Sequence, residues 1–223
     1  MRYRVYLPWF CSLIDLVKVK TSIAARANRT ALAAVSTLLL AGISANASSP
    51  PYSLFSIRLS SSDGRRFSPF VLDGRAATCL IFISTGCPIS NSYAPEISRI
   101  TDDFEPAKID TYVILTDDNL TPVKASSYKS EYRLDCPVLC DPKHEMVAAA
   151  GAMVTPEALV FDQSGHMIYR GRIDNKFVDF GVSRQTATRM DLRSVLNEIS
   201  KGRIPPFSET KAVGCFIPPP ENQ

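Results

Sequence analysis

The sequence predicts an α/β fold: a mixed central sheet flanked by helices, with an N-terminal β-hairpin and an extra strand–helix insertion. Three observations carry this expectation. Two continuous apolar runs, Thr78 to Ser84 and Ile109 to Thr116, read as strands covered on both faces. Each run is followed by apolar residues at helical spacing. A later antiparallel pair, Glu157 to Phe161 and Met167 to Arg172, surrounds Gln163-Ser164-Gly165 and precedes one more helical pattern.

Taken in order, Phe55 to Leu59 and Phe67 to Leu72 flank Asp63-Gly64, a turn-favouring pair that makes them a hairpin. After Thr78 to Ser84 come Tyr93, Ile97, Ile100 and Phe104 on one helical face. Pro95 requires the regular helix to begin around Ser92; otherwise it kinks the first turns. Beyond the second run, Thr121-Pro122 supplies an N-cap and a proline at the first helical position, and Ala125, Tyr128 and Tyr132 share a face. Cys136 to Cys140 reads as a short strand, and Asp141-Pro142 caps a helix that closes at Gly151. A capping box, Thr188-x-x-Asp191, opens the last helix, which carries Leu192, Val195, Leu196 and Ile199. Residues 203–223 are Pro-rich and read as an irregular tail, and the chain shows no internal repeats.

The front of the chain reads as an export signal. An apolar stretch from Ala31 to Ala45, preceded by Arg26 and Arg29, ends in Ala45-Asn46-Ala47, the small-residue pattern of a cleavage site after Ala47. The stretch falls short of the ~20 residues that span a bilayer, which favours cleavage over an uncleaved anchor and leaves no stable membrane span afterwards. Residues 1–25 carry an apolar segment of their own around Leu7 to Leu16 and read as a mis-assigned start. The expected organisation is therefore a signal peptide over 1–47, one domain over 48–202 and a tail over 203–223.

Residues 1–47 hold six of the 25 Lys and Arg and one of the 22 Asp and Glu. The remaining 176 residues have 19 basic and 21 acidic side chains, a net charge of −2, and offer no basic surface for nucleic acid or an anionic membrane. The same segment keeps Cys79, Cys87, Cys136, Cys140 and Cys215. A domain of this length does not need disulfides to hold its core, so chemistry is the better reason for some of them. An odd number leaves at least one thiol free or paired outside the chain.

The candidate centre is Ser84-Thr85-Gly86-Cys87-Pro88-Ile89-Ser90-Asn91, where a cysteine leaves a buried strand and opens a helix. Backbone N–H groups at such a place stabilise a thiolate and lower a thiol pKa from about 8.5 to roughly 3.5–7.5. Cys136-x3-Cys140-x3-His144 carries the residue types of a copper(I) or zinc site. An extended Cys136 to Cys140 holds the two thiols apart, however, and a closed zinc site lacks a fourth ligand. No metal and no cofactor is expected. His166, in a hairpin turn, is expected to be solvated.

Strand, helix, strand, helix, hairpin and closing helix form the thioredoxin architecture. The chain resembles the exported bacterial redoxins of the alkyl hydroperoxide reductase/thiol-specific antioxidant branch, within the thioredoxin-like superfamily. The resemblance rests on Cys87 to Glu96, on Val154-Thr155-Pro156-Glu157-Ala158, on Tyr169 to Asn175, and on Thr210-x-Ala212-x-Gly214-Cys215. It implies a site drawn from Ser84, Thr85, Cys87, Ser90, Thr155, Pro156, Arg170, Arg172 and Cys215. Cys87 is the implied nucleophile, acting on a disulfide or a peroxide. Ser90 stands where dithiol relatives carry a second cysteine, so resolution falls to an outside thiol or to Cys215; Cys215 is as readily read as structural or as a partner of Cys136. Pro156 resembles the cis-proline that faces the active cysteine, with the Thr155 backbone pairing to an extended substrate segment. A thiol peroxidase is implied in part: Ser84 and Arg170 or Arg172 fill two of its places, but Leu80 stands where its proline belongs. The arginines otherwise read as a solvated strand face. The implied activity is thiol–disulfide exchange in the periplasm or outside the cell, with a thiol or disulfide protein or a small peroxide or thiol as partner; the alternative is a non-catalytic module holding a partner or copper.

Overall fold

The run at 77–83 is the central strand because every residue in it is buried. A computed structural model of the chain describes residues 53–70 and 74–219. The expected export signal, together with Val71 and Leu72, lies outside the described residues. In chain order the first elements are β1 (Leu59–Ser61), β2 (Arg66–Phe67), β3 (Ala77–Ile83), α1 (Pro88–Ser92), α2 (Ala94–Phe104), β4 (Ile109–Leu115) and α3 (Pro122–Glu131). Then come β5 (Val138–Cys140), α4 (Glu145–Ala150), β6 (Val154–Thr155), β7 (Glu157–Asp162) and β8 (Met167–Gly171). The rest are β9 (Phe177–Asp179), β10 (Val182–Ser183), α5 (Asp191–Ser200), β11 (Ser208–Glu209) and β12 (Cys215–Phe216).

The mixed sheet runs in the order β11-β8-β7-β3-β4-β5-β1-β2. β3, β4 and β5 are parallel neighbours, whereas β7 lies antiparallel to both β3 and β8. Strand alternation sends Cys79, Ile81 and Ile83 to one face, among Ile97 and Ile100 of α2 and Leu192 and Leu196 of α5. Leu80 and Phe82 point to the other face, among Met146 and Val147 of α4, Phe70 and Phe161. Each such side chain contributes about 1.5–3 kcal/mol by burial, so the apolar run is held in the middle of the sheet from both sides.

Several elements depart from the sequence expectation. The N-terminal hairpin is antiparallel around Gly64, but its first strand starts at Leu59, after a short 3₁₀ turn at Leu54–Ser56. Pro95 acts as expected: it has no N–H for the helical bond to Asn91, so the helix after Cys87 breaks at Tyr93 and restarts with Ala94-Pro95 in its first turn. The Asp141 carboxylate does cap α4, accepting from the N–H groups of Glu145 (2.8 Å) and Val147 (2.9 Å), but Pro142 stays in the preceding turn and the helix begins at Glu145. The Thr188-x-x-Asp191 capping box does not form; the N-cap of α5 is Met190. The Thr188 hydroxyl accepts from Asn175 Nδ2 at 2.9 Å, and Asp191 accepts from Arg172 Nε at 2.7 Å. Tertiary partners outcompete the local cap.

The tail is irregular except for two strands of two residues each. β11 adds to the sheet edge parallel to β8, and β12 pairs antiparallel with β6. Among the described residues no helix is long and apolar enough to cross a membrane.

Candidate active site

Cys87 leaves β3 through a tight turn in which its N–H donates to the Ser84 carbonyl at 3.1 Å, and it is the N-cap of α1. The turn is clamped from the end of the neighbouring strand. Asp117, two residues beyond β4, accepts from the Ser84 hydroxyl at 2.8 Å and from the Thr85 N–H at 2.9 Å. Asn91 Nδ2 donates to the Thr85 carbonyl at 3.0 Å, and the Tyr128 hydroxyl of α3 donates to Asn91 Oδ1 at 2.8 Å. Ser84 is thus a structural hydroxyl of the turn, aimed at a carboxylate.

The facing wall is β6 and its continuation, where the Thr155–Pro156 peptide bond is cis. The Cys87 thiol donates to the Thr155 carbonyl at 3.2 Å. β12 lies along the same residue, with Cys215 in register with Thr155, so the chain's own tail occupies the backbone edge expected for a substrate segment. Cys215 Sγ then sits 3.0 Å from Cys87 Sγ, close to the approach from which a disulfide bond of about 2.05 Å forms. No bond joins the two sulfurs. Cys87 is 1 % exposed, whereas Cys215 is partly exposed.

The two sulfurs are electrostatically unlike. Burial pushes the Cys87 thiol up, but hydrogen bonds from the side chains of Ser90 and Cys215 and from their backbones outweigh it and bring the pKa from 9.0 to about 7. Cys215 goes the other way, to about 11, through burial and through its bond and proximity to the Cys87 charge. The Ser90 hydroxyl is fully buried and has no hydrogen-bond partner among the described residues while Cys87 is a thiol. Its effect therefore belongs to the ionised form, toward which it is free to turn and donate. Such a pair can present one thiolate at neutral pH and keep one thiol in reserve.

The other predicted residues are not gathered here. Arg170 donates to the Ala150 carbonyl at 2.6 Å and faces the buried Glu157 carboxylate. Arg172 is paired with Asp191 at 2.7 Å. Neither guanidinium is bonded to Cys87, and neither lies on a solvated face, since both are about three-quarters buried or more. The metal motif also comes apart. Among the described residues no group of three or more His, Cys, Asp or Glu could hold a metal ion. His144 Nε2 is hydrogen-bonded to the Thr116 carbonyl at 2.7 Å, and burial pushes both Cys136 and Cys140 up to about 11. Cys79, fully buried, rises to about 12 by the same cause.

Sequence reasoning misses the roles of Asp117, Asn91 and Tyr128, and the fit of Gly214 against Thr155. Asp117 leaves no local signal: only the β3–β4 register, Ile83 opposite Leu115, brings the residues just beyond each strand together. Asn91 reaches Thr85, six positions away, from within the same turn, whereas Tyr128 and Gly214 join elements far apart in the chain and leave no local pattern.

The AhpC/TSA family model matches residues 54–170, more than half of the chain. Among solved structures, an uncharacterized conserved protein from Geobacillus kaustophilus is 25% identical, with 72% of this chain and 87% of that one covered at a TM-score of 0.62. A hypothetical protein from Sinorhizobium meliloti 1021 is 21% identical over 72% and 89% of the two chains, TM-score 0.63. A secreted Mycobacterium tuberculosis disulfide oxidoreductase homologous to E. coli DsbE is 18% identical over 66% and 97%, TM-score 0.48. No curated protein matches. The family match and the mixed sheet around β3 agree with the opening expectation, and the chain belongs to the AhpC/TSA family as a thioredoxin-like redoxin.

Proposed function

We propose that this redoxin is an exported thiol–disulfide oxidoreductase acting through Cys87 in its Cys-x-x-Ser turn, with Cys215 as the resolving thiol. The observation that carries this reading is the 3.0 Å approach of the two sulfurs across the Thr155 carbonyl. The Cys87 thiolate attacks one sulfur of a substrate disulfide, forming a mixed disulfide and expelling the other half as a thiolate. Cys215 then loses its proton and attacks Cys87 Sγ, releasing the second half and closing Cys87–Cys215. Two electrons leave the cysteine pair and the substrate becomes two thiols. Because Cys87 is 1 % exposed, the substrate reaches it when the two-residue strand β12 peels from β6. The partner is a thiol or disulfide protein, or a small thiol or peroxide. Export rests on the apolar stretch and the Ala45-Asn46-Ala47 pattern.

A thiol peroxidase has less support. The Ser84 hydroxyl is committed to Asp117, both arginines have other partners, and Leu80 points to the opposite face of the sheet. A copper carrier would have to gather ligands that the fold holds apart.

Mass-spectrometric thiol mapping of the reduced protein, before and after one equivalent of oxidised glutathione or peroxide, is the test. A Cys87–Cys215 linkage is expected, and Cys215→Ser is expected to stop on Cys87 as a glutathione mixed disulfide with oxidised glutathione and as a sulfenic acid with peroxide. An unmodified Cys87 thiol after oxidant overturns the reading.

A further inference from the structure

Cys215 stands beside Cys87 only while β12 lies along β6, yet neither strand belongs to the mixed sheet. The two form a separate sheet of two residues each. A lone pair of strands is marginal in water, so the pairing needs support from elsewhere. That support comes from two buried side chains on β7 and β8. Glu157, 4 % exposed, accepts from the Met153 N–H at 2.8 Å. The Met153 carbonyl in turn accepts from the Ile217 N–H at 3.0 Å, one residue beyond β12. Arg170 donates from Nη2 to the Ala150 carbonyl at the end of α4, at 2.6 Å, and its Nε faces Glu157 Oε1 at 3.9 Å. The main-chain carbonyl of Arg170 accepts from the Thr210 N–H at 3.0 Å. The tail is thus fastened on both sides of Cys215, at Thr210 and at Ile217, and both fastenings lead back to the residues of one ion pair.

Neither side chain is bonded to Cys87 or Cys215. A buried ion pair is a weak source of stability, and its best-attested use is to fix a register. The geometry points to Glu157 and Arg170 as the positioning pair of the resolving step: together they set the register in which Cys215 stands opposite Thr155 and within reach of Cys87. The assignment rests on the reading of Cys215 as the resolving thiol. It divides the cycle into a step that uses the pair and a step that does not. The first attack, by Cys87 on an external disulfide, takes place with β12 lifted and draws nothing from the pair. In the second, Cys215 gives up its proton to solvent and attacks Cys87 Sγ. The Cys87–Cys215 bond forms as the mixed disulfide breaks, and the electron pair of the broken bond leaves with the external thiolate. That attack requires the tail back in its register, which Glu157 restores through Met153 and Arg170 through Thr210.

The test mixes the reduced full-length protein with oxidised glutathione, quenches with acid at intervals from milliseconds to minutes, and counts the adducts by mass spectrometry. The glutathione mixed disulfide on Cys87 forms at one rate and gives way to the Cys87–Cys215 linkage at a second. Glu157→Ala is expected to slow the second rate by about tenfold or more, and Glu157→Gln, which keeps an acceptor for Met153, by less. The first rate is expected to stay the same or rise. Removing one member of a buried ion pair leaves the other charge uncompensated, so Glu157→Gln combined with Arg170→Met, which removes both charges, is run alongside. This double variant is expected to fold and to keep the slow second rate. Equal slowing of both rates, an unchanged second rate, or failure of the double variant to fold overturns the positioning role and leaves Cys215 as the resolving thiol. An unaltered protein that stops at the mixed disulfide overturns the resolving reading and the positioning role together.

Discussion

Gly214 lies against the Thr155 carbonyl with no room for a side chain: a Cβ there would overlap the carbonyl oxygen and carbon and crowd Pro156 N. The glycine is what lets the tail come close enough for Cys215 to reach Cys87. Gly214→Ala is expected to push β12 off β6 and to slow Cys87–Cys215 formation by about tenfold to a hundredfold, as a misplacement of about 1 Å does. Stopped-flow oxidation with mass-mapped products checks it; an unchanged rate would show that the tail tolerates displacement.

Ser90→Ala removes the buried hydroxyl available to the Cys87 thiolate. A hydrogen bond to a charged group is worth about 1.5–3 kcal/mol, so the thiol pKa is expected to climb from about 7 by about one unit or more. Thiolate ultraviolet absorbance against pH, with Cys87→Ser as blank, reads this directly. A curve that does not move would assign the low pKa to the backbone and Cys215.

Asp117→Ala frees the Ser84 hydroxyl and the Thr85 N–H together. The expected cost is about 1–3 kcal/mol of stability, with a slower closing of the cysteine pair because the turn that aims Cys87 is no longer clamped. Asp117→Asn, which keeps one acceptor, is expected to recover part of both. Chemical denaturation and oxidation kinetics on the same samples separate the two effects.

Stability should follow the two sulfurs with opposite signs. Cys87 binds its proton more weakly in the folded chain, about 7 against 9.0, so it adds stability as pH rises from 7 to 9 and that gain is lost as pH falls through 7. The size is on the order of 2 kcal/mol. Cys215, raised to about 11, contributes the other way: its part is present below 9 and is lost as pH rises through 11. Urea midpoints of the reduced protein on either side of the 7–9 window should rise, and Cys87→Ser should flatten the rise.

Thr210→Val tests the anchoring of the tail. The Thr210 hydroxyl accepts from the Arg172 N–H at 3.1 Å and shares a hydrogen bond with the Tyr169 hydroxyl at 2.7 Å, while Thr210 N–H donates to the Arg170 carbonyl. Faster amide exchange confined to residues 208–216 is expected, with β3 and β4 unaffected. Protection unchanged in the tail would mean that β12 is held by its pairing with β6 alone.

Features under local control are the ones legible in the chain. β3 announces itself by the apolar run Cys79 to Ile83, and the turn after it by a cysteine before Pro88. Thr121 caps α3 in the expected way, accepting from the Lys124 N–H at 3.3 Å. Thr188 fails as a cap because Asn175, 13 positions away, claims its hydroxyl. β11 and β12 are two residues each, too short to show alternation, and only their pairing with β8 and β6 makes them strands. The clamp on the turn escapes for the same reason: Asp117 and Tyr128 lie more than 30 positions from the groups they hold. Arg170 and Arg172 are legible as charges but not in their partners.

Cys87 and Cys215 stand 128 positions apart, so the fold alone brings them together. In an unfolded chain the loop between them closes against an entropy that a disulfide of this span offsets by about 4–5 kcal/mol. Folding and oxidation are therefore two legs of one thermodynamic cycle. Whatever the bond adds to the stability of the fold, the fold must return as resistance of that bond to reduction. A substitution that loosens the tail shifts the reduction potential even if it never touches a sulfur, and a change of redox state shifts the folding equilibrium by the same free energy.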